Sequence, residues 1–342
     1  MKRFVPAALV LALLSCGIAF LPPSAGAEDG PFRQRLKERW LQRQQQNVPE
    51  TSPDIAARIT QPGDYRFQLE HDGLTRMYRV HVPAKYAPAA PAPLLVALHG
   101  GGGSMDYQAD DSRYGLISKS EREGFVVLFP NGFSKLRSGK LATWNAGNCC
   151  GGARDENIDD VGFIRQAVDR LTRQMNIDRN RIYATGMSNG GMMAYRLACE
   201  LPEVFKAIAS VAGTDNTRSC NPAHPVAVLH IHAKNDNHVL FEGGAGPGIP
   251  NESKATDFTS VADTVAKWVK LDGCSAAPRR ILDKDGAYCD VYAPCRGQTE
   301  VQLCVTKSGG HSWPGGQKSR GDEPPSQAIS ANDVMWDFFK RH

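Results

Sequence analysis

Several features are missing from this 342-residue chain, and each absence narrows what it can be. It has no internal repeat and no long low-complexity linker, which favours a single folded domain. The formal net charge is only +4, from 40 Lys and Arg against 36 Asp and Glu, and the basic residues are dispersed. Nucleic-acid binding needs a clustered basic face, so nucleic acid is not an expected partner.

Long hydrophobic runs are also missing. The apolar stretch at residues 4–21 is interrupted by Pro, Ser and Gly, so it is too short and broken for a membrane-spanning helix. It follows a positive start and precedes small residues at 25–27, the order found in secretory signal peptides. This order predicts a signal peptide over residues 1–27, a secreted or periplasmic protein, and no stable membrane insertion after cleavage. A lipoprotein acylated at Cys16 is the alternative.

The cysteine spacing matches no metal site. Of nine cysteines, eight remain once Cys16 is removed with the signal peptide. An even number of cysteines in an oxidising compartment predicts disulfides. The adjacent Cys149 and Cys150 and the irregular spacing of the others fit no zinc template, so no metal is expected.

The pattern of apolar residues predicts a leader and one α/β domain. Residues 28–60 are polar and rich in Arg and Gln, which is typical of a mobile leader. In residues 61–342, strand and helix patterns alternate, which favours a mainly parallel sheet flanked by helices. The predicted strands are 65–69, 76–82, 94–98, 125–129, 181–185, 226–231 and 301–306. The predicted helices are 162–174, with Asp159 or Asp160 as its cap, 190–200, 258–271 and 331–340.

A candidate nucleophile lies in the middle of the chain. Residues 186–190 read G-x-S-x-G, with Ser188 at the centre. A predicted strand ends just before this pentapeptide and a predicted helix begins just after it. A nucleophilic serine needs this context, because the tight strand-to-helix turn exposes its hydroxyl. Ser188 is therefore the predicted nucleophile.

A run of four glycines follows His99 at the end of the predicted strand 94–98. Glycine backbone can point an N–H at a developing oxyanion with no side chain in the way. We predict that the amides of Gly101 and Asn189 form an oxyanion hole and that His99 is structural. A phosphate-binding loop is the rival for any glycine run, but its Lys-Ser/Thr ending is absent.

The acid and the base should follow the serine in the order Ser, Asp, His. Asp236 comes just after the predicted strand 226–231 and is the predicted acid, with Asp215 as the second choice. His311 lies in a loop bounded by glycines. It is predicted to act as the general base while Asp236 fixes its tautomer. His238 is its rival, although its place beside Asp236 favours a structural role.

Five spaced motifs occur in order along the predicted domain. They are H-G-G-G at 99–102, T-W-N-A-G at 143–147, D-D-V-G-F at 159–163, G-M-S-N-G-G at 186–191 and G-H-S-W-P-G at 310–315. Together they resemble exported esterases of the polyhydroxybutyrate depolymerase and feruloyl esterase superfamily. The resemblance implies an α/β-hydrolase fold and a triad of Ser188, Asp236 and His311. It also implies that Trp144 and Trp313 line the substrate cleft.

The resemblance implies a reaction as well. The expected activity is hydrolysis of carboxylic esters through an acyl-enzyme on Ser188, with no cofactor. Feruloyl or hydroxycinnamoyl esters and short hydroxyalkanoate esters are the candidate substrates, either as small molecules or attached to an oligomer or polysaccharide. An acyltransferase on the same triad and a non-catalytic surface-binding protein on this scaffold are the alternatives.

Disulfide pairing is suggested by the same resemblance together with strand geometry. The suggested pairs are Cys274–Cys295 and Cys289–Cys304. Further candidates are Cys199–Cys220 and the adjacent Cys149–Cys150.

Overall fold

The computed structural model describes residues 57–249, 257–317 and 323–342, all of which belong to one compact unit, Thr51–His342. The predicted signal peptide and most of the predicted leader lie outside the described residues. The described end of the leader belongs to the domain. Ile59 is buried, and its N–H donates to the carbonyl of Gln174 at 3.0 Å. The folded domain therefore begins before the predicted boundary at residue 61.

The described residues form ten strands and eight α-helices. The strands are β1 Gly63–His71, β2 Leu74–Val82, β3 Ala92–Leu98, β4 Val126–Pro130, β5 Ile177–Met187, β6 Ala207–Val211, β7 Ala227–Ala233, β8 Arg279–Lys284, β9 Ala287–Tyr292 and β10 Val301–Thr306. The helices are α1 Met105–Gln108, α2 Asp111–Tyr114, α3 Leu116–Glu123, α4 Gly151–Asp155, α5 Asp160–Gln174, α6 Asn189–Glu200, α7 Val261–Leu271 and α8 Ala331–Phe339.

All ten strands form one sheet in the order β1-β2-β4-β3-β5-β6-β7-β10-β9-β8. The six central strands, from β4 to β10 in this order, pair in parallel, and antiparallel strands close both edges. The mainly parallel sheet is therefore as predicted. In such a sheet the carboxyl ends of the parallel strands meet along one edge, where ligands commonly bind.

Strand β3 shows why the sheet is covered on both faces. All seven of its residues are buried, which suits a strand between two helical layers. Successive side chains point to opposite faces. Leu94, Val96 and Leu98 belong to one apolar cluster with residues of α5, α6 and α7, whereas Leu95 and Ala97 belong to a second cluster with residues of α3 and α8.

Capping side chains set two of the helix starts. The carboxylate of Asp159 accepts the N–H of Gly162 at 2.9 Å, so Asp159 rather than Asp160 caps α5. Helix α7 begins three residues later than predicted because the hydroxyl of Ser260 caps it, accepting the N–H of Asp263 at 3.0 Å. A side-chain cap decides where a helix begins because it satisfies a terminal N–H.

The predicted antiparallel hairpin is present as β1 and β2, with Asp72 and Gly73 in its turn, both at positive φ. The apolar pattern did not predict β6, which has only five residues, or the exposed edge strand β8. Among the residues that the structure describes, no helix has the length and apolar character needed to cross a membrane.

Candidate active site

Ser188 lies at the turn between β5 and α6. Its backbone has φ 57° and ψ −124°, a region that costs a non-glycine residue about 1–3 kcal/mol. Hydrogen bonds hold the turn on both sides. The N–H of Ser188 donates to the Val211 carbonyl at 2.8 Å, and the Ser188 carbonyl accepts the N–H of Met192 at 2.9 Å. The G-x-S-x-G motif thus forms a strained strand-to-helix turn.

Close approach of α6 to β3 depends on Gly190. A Cβ at this position would overlap the carbonyl oxygens of Leu98 and His99. Its absence lets the start of α6 lie against the loop that follows β3. The first N–H groups of a helix have no acceptor within the helix, so the Asn189 amide is available at this contact.

The glycine run after His99 lies directly against the Ser188 turn. A Cβ built on Gly100 would lie 3.6 Å from Ser188 Cβ, and one on Gly101 would lie 3.6 Å from Asn189 Cβ. Gly101 and Asn189 are therefore neighbours, as an oxyanion hole made from their two amides requires.

His99 shapes this loop from beneath. The side chain is fully buried, and its Nε2 accepts the N–H of Gly132 at 2.9 Å. Burial lowers the pKa of His99 to about 4, so the ring is neutral at pH 7 and carries its single proton on Nδ1. Nδ1 then donates to the Gly100 carbonyl at 2.8 Å. These contacts give His99 the structural position expected of it.

The side chain of Asn189 joins the nucleophile turn to the T-W-N-A-G segment. Its Oδ1 accepts the N–H of Trp144 at 2.8 Å, and its Nδ2 donates to the Trp144 carbonyl at 3.0 Å. This pair of hydrogen bonds satisfies a buried backbone N–H and carbonyl together. The residue whose amide faces the oxyanion loop is therefore also tied to a second segment.

Trp144 does not line an open cleft, contrary to expectation. Its side chain is 0% exposed. The indole Nε1 donates to the His99 carbonyl at 2.9 Å, and the indole ring packs on the His99 ring with 4.9 Å between centroids. A buried indole N–H needs an acceptor, and here that acceptor lies at the end of β3. Trp144 thus supports the glycine loop from within the core.

Trp313 is buried as well, with 3% of its surface exposed. Its ring packs edge-on against Tyr114 at 5.5 Å, and its Nε1 donates to Asn332 in α8 at 3.1 Å. The expectation that Trp313 lines the cleft is therefore also wrong. The indole instead fastens the segment after His311 to α8.

The buried carboxylate of Asp160 connects two of the other motifs and also forms an ion pair. Asp160 accepts the backbone N–H of Asn145 at 2.8 Å on one oxygen and Arg76 Nη2 at 2.6 Å on the other. Burial raises the pKa of Asp160, while the charge of Arg76 opposes that shift. The D-D-V-G-F motif therefore supports the T-W-N-A-G segment.

Asp236 and His311 meet at the carboxyl ends of β7 and β10. His311 Nδ1 lies 2.8 Å from Asp236 Oδ2 and 3.1 Å from Oδ1. The strands that carry them are parallel neighbours, and Ser188 follows β5 at the same edge of the sheet. Because Nδ1 donates to the carboxylate, the neutral ring keeps Nε2 as its unprotonated nitrogen.

Asp236 stays ionised in the core. Burial alone would raise its pKa, but the charge of His311 and hydrogen bonds from His232 and His311 outweigh that effect and hold the pKa well below its usual range. Its Oδ1 also accepts the N–H groups of His238 and Val239, at 2.8 and 3.0 Å. The carboxylate is therefore held as an anion that faces His311.

The loop that carries His311 is tied to the same turn. The N–H of Gly310 donates to Asn235 Oδ1, and the N–H of Gly309 donates to Glu323, both at 3.0 Å. Asn235 in turn donates to Glu323 at 2.6 Å. One short polar segment thus orients both Asp236 and the histidine loop.

The second choice for the acid, Asp215, is engaged elsewhere. Its buried carboxylate accepts Trp268 Nε1 and pairs with Lys267, both at 2.9 Å. It also accepts the N–H of Thr217 at 2.9 Å. The structure therefore places Asp236 beside His311, whereas Asp215 is hydrogen bonded to side chains of α7.

The rival histidine, His238, lies beside the base. Its ring stacks on the His311 ring with 4.6 Å between centroids and 17° between planes. Its backbone N–H donates to Asp236 Oδ1 at 2.8 Å, and its ring Nδ1 lies 2.7 Å from Asn237 Oδ1. His232 is a further neighbour of Asp236 that was not singled out, with Nε2 3.3 Å from Oδ2.

Two groups of described side chains bring three metal-ligand atoms within 4.8 Å of one another. In the first, with Asp215, the sulfur atoms of Cys199 and Cys220 are joined in a disulfide, so they are not thiolate ligands. The second contains Asp236, His238 and His311, whose carboxylate and imidazole already bond to each other.

All four suggested disulfides are present. The pairs are Cys149–Cys150, Cys199–Cys220, Cys274–Cys295 and Cys289–Cys304. Cys289 and Cys304 are directly opposite each other on β9 and β10. That disulfide therefore fixes the strand that leads to His311.

A family comparison fits this geometry. The sequence pattern of the family described as esterase PHB depolymerase matches residues 77–261, more than half of the chain. The chain belongs to the esterase PHB depolymerase family. The matched residues include the glycine loop, Ser188 and Asp236, and they end before His311.

Individual members support this assignment. The chain is 30% identical over 239 residues to feruloyl esterase B of Piromyces equi, and 33% identical over 260 residues to the putative esterase NocK of Nocardia uniformis subsp. tsuyamanensis. These alignments cover 68% and 71% of this chain. They cover 42% of the first relative and 72% of the second, so the chain spans less than half of the Piromyces protein.

Solved structures show the fold of this esterase PHB depolymerase family member. An acetyl xylan esterase from Aspergillus awamori aligns with a TM-score of 0.56 at 15% identity, covering 81% of this chain and 99% of the other. An S-formylglutathione hydrolase from Agrobacterium tumefaciens aligns with a TM-score of 0.52 at 15% identity, covering 83% and 96%. The predicted α/β-hydrolase fold is confirmed.

Proposed function

We propose that this chain is a serine carboxylic ester hydrolase with Ser188 as nucleophile, His311 as general base and Asp236 as the orienting acid. The observation that carries the proposal is the hydrogen bond from His311 to Asp236 at the sheet edge where the strained Ser188 turn lies. Membership of an esterase family supports it.

The proposed reaction has two halves. His311 Nε2 takes the proton of the Ser188 hydroxyl as the oxygen attacks the ester carbonyl, and the imidazolium is stabilised by Asp236. The amides of Gly101 and Asn189 hold the oxyanion. The imidazolium then gives its proton to the leaving alcohol, and an acyl-enzyme remains. Water, deprotonated by His311, attacks the acyl-enzyme carbonyl. The bond from the acyl carbon to the Ser188 oxygen then breaks, the His311 imidazolium returns its proton to that oxygen, and the carboxylic acid leaves.

For the substrate we propose an ester of a hydroxycinnamic acid, such as a feruloyl ester. Several relatives are named feruloyl esterases, from Piromyces equi and from Aspergillus and Emericella species. The buried positions of Trp144 and Trp313 mean that neither indole supplies the surface for the aromatic acyl group. Short hydroxyalkanoate esters are the second candidate, which the family description favours.

The test of the chemistry compares the wild-type chain with Ser188→Ala on p-nitrophenyl butyrate. We expect the variant to lose at least about 10³-fold in kcat and to stop reacting with a fluorophosphonate probe. Equal turnover by both proteins would disprove the role of Ser188. A protein that reacts with the probe but releases ester instead of acid when an alcohol acceptor is added would be an acyltransferase.

The test of substrate class compares methyl ferulate with a hydroxybutyrate oligomer at equal concentrations. A higher kcat/KM for methyl ferulate is expected. The opposite preference would assign the chain to hydroxyalkanoate esters while leaving the proposed triad in place.

We also propose that the protein is exported. Four disulfides among the described residues fit an oxidising compartment. Mass spectrometry of the mature protein should find an N-terminus at Glu28. An intact Met1, or a lipid-modified Cys16, would contradict cleavage at this site.

A further inference from the structure

Strand β7 carries two histidines that the proposed reaction does not use. His230 and His232 are two residues apart, so both side chains lie on the same face of the sheet. They are 0% and 1% exposed. Buried imidazoles are costly unless both ring nitrogens have partners, so their contacts show how they are held.

The two histidines form one hydrogen-bonded chain that ends at Asp236. Tyr195 Oη lies 2.8 Å from His230 Nδ1, and His230 Nε2 lies 3.1 Å from His232 Nδ1. His232 Nε2 lies 2.9 Å from the Val239 carbonyl and 3.3 Å from Asp236 Oδ2. Every ring nitrogen in this chain therefore has a polar neighbour.

The acceptors at the end of the chain fix where its protons lie. A carbonyl and an ionised carboxylate only accept, so His232 Nε2 carries a proton. In a neutral imidazole, Nδ1 is then an acceptor, and His230 must donate from its Nε2. His230 Nδ1 is left to accept from the hydroxyl of Tyr195. The chain therefore donates in one direction, from Tyr195 towards Asp236.

The surroundings favour the neutral forms of His230 and Tyr195. Burial holds the pKa of His230 well below its usual value, and it holds the pKa of the Tyr195 hydroxyl well above its usual value. The ring of Phe241 packs edge-on against the His232 ring, with 5.8 Å between the centroids. The titratable groups facing Asp236 are His232, His311 and His238.

We propose that His232 is a positioning residue of the triad, whose Nε2–H, backed by His230 and Tyr195, holds Asp236 Oδ2 in place against His311. This inference rests on the proposed function, since it names a fourth group acting on the same base. His232 acts through Asp236 and does not touch the reacting atoms.

The inference predicts a change in the pH profile. Without the Nε2–H donor, the negative charge of Asp236 is less satisfied and attracts the His311 imidazolium more strongly. The acid limb of the kcat/KM profile should then move to higher pH. A side chain that only fills space would change stability without moving that limb.

Two substitutions by amide side chains test the two ring nitrogens of His232 separately. His232→Gln can place an N–H donor where Nε2 lies, whereas His232→Asn can keep only an acceptor near the position of Nδ1. With p-nitrophenyl butyrate, we expect H232N to lower kcat roughly tenfold, the loss of one hydrogen bond to a charged group. Its acid limb should rise by about half a pH unit, with KM within about twofold. H232Q should recover most of both losses.

Nitrogen-15 NMR of histidine-labelled wild-type protein gives a readout independent of activity and of any variant's folding. We expect His230 and His232 to carry a proton on Nε2. A proton on Nδ1 of His232, or a wild-type acid limb in folded H232N, would overturn the inference. H232Q as impaired as H232N would overturn it too.

Ser188→Ala distinguishes a failure of the proposed function from a failure of the proposed role of His232. If that variant hydrolyses ester at the wild-type rate, the proposed function fails, whereas the NMR result still reports the proton positions. If Ser188→Ala is inactive and H232N has the wild-type profile, only the role of His232 fails.

Discussion

The amide side of the site and the acid–base side are stabilised differently. On the amide side, Gly101 and the Asn189 turn are positioned by neutral groups that are almost wholly buried: His99, Trp144 and the Asn189 side chain. On the acid–base side, a buried carboxylate holds His311, whose side chain is 11% exposed. The groups next to the amides are neutral, and the buried Arg76–Asp160 ion pair lies behind them. On the acid–base side the charged group, Asp236, contacts His311 directly.

Because of this difference, mutations on the two sides should affect the pH dependence of activity differently. Neutral hydrogen bonds in the core do not titrate near pH 7, so damage to the amide side should lower the rate at every pH. Damage to the acid–base side changes the electrostatics of His311, so it should alter the shape of the pH profile. The pH dependence of activity therefore tells the two sides apart.

The largest effect is expected from Asp236→Asn. An amide in place of the carboxylate allows the wrong tautomer of His311 and removes the charge that stabilises the imidazolium, so kcat should fall by roughly 10⁴-fold. Steady-state kinetics with p-nitrophenyl butyrate checks this. Asp215→Asn is the matched control and should keep kcat within about fivefold. A larger loss in Asp215→Asn than in Asp236→Asn would reverse the assignment of the acid.

A large loss of stability is expected from Asp160→Ala. Removing one partner of a buried ion pair leaves Arg76 uncompensated, which costs about 3–5 kcal/mol of unfolding free energy. Urea denaturation measures the change. The neighbouring Asp159→Ala provides the comparison. It removes a half-exposed helix cap, worth about 1 kcal/mol, and a partly exposed contact with His71, which is worth less than about 1 kcal/mol. Similar losses for both would show that the buried pair with Arg76 stabilises the fold no more than the helix cap does.

A smaller effect on rate is expected from Asn189→Ala. The backbone N–H and carbonyl of Trp144 lose their partners, so the amide side loosens, and kcat should fall about 10- to 100-fold. The midpoint of the acid limb should stay at its wild-type pH. A moved limb would show that the amide side also controls His311 and would break the distinction between the two sides.

The smallest effect is expected far from the site. Asp272 is buried at the end of α7, where Val226 donates to one oxygen, and burial raises the pKa of its carboxyl to about 7. A raised pKa means that its contribution to stability is fully present below the unfolded pKa of about 4 and is lost as pH rises through 7. Relative to wild type, Asp272→Asn should therefore gain about 1 kcal/mol between pH 6 and pH 8.

Urea denaturation at the two pH values provides the measurement. The measurement contrasts Asp272 with Asp236, a buried carboxylate that stays charged because several groups donate hydrogen bonds to it. If the unfolding free energy of Asp272→Asn changes with pH as that of wild type does, burial does not raise the pKa of Asp272.

The nucleophile turn was predictable because its signal is local. G-x-S-x-G, a strand before it and a helix after it are all read from neighbouring residues, and the structure has the same order. The order Ser, Asp, His along the chain predicted Asp236 and His311 as partners, and their side chains lie 2.8 Å apart. The sequence ranked Asp236 above Asp215, and the fold shows why Asp236 is the one beside His311: the strand before it pairs with β10.

The positions of the two indoles were not predictable from the same information. Whether a tryptophan beside a site faces solvent or core depends on contacts with distant residues, here His99 for Trp144 and Asn332 for Trp313. The role of His232 had a signal, because two histidines spaced by two on an apolar strand must share one face. Their link to Asp236 depends on the turn after the strand.

The strained backbone at Ser188 has a consequence for how the protein would evolve. A glycine there would relieve a conformation that costs serine about 1–3 kcal/mol, so the fold gains nothing from the hydroxyl. If selection for catalysis were relaxed, stability alone would favour losing this serine. Among diverging copies of the gene, an intact Ser188 would thus mark those in which the hydroxyl is still used.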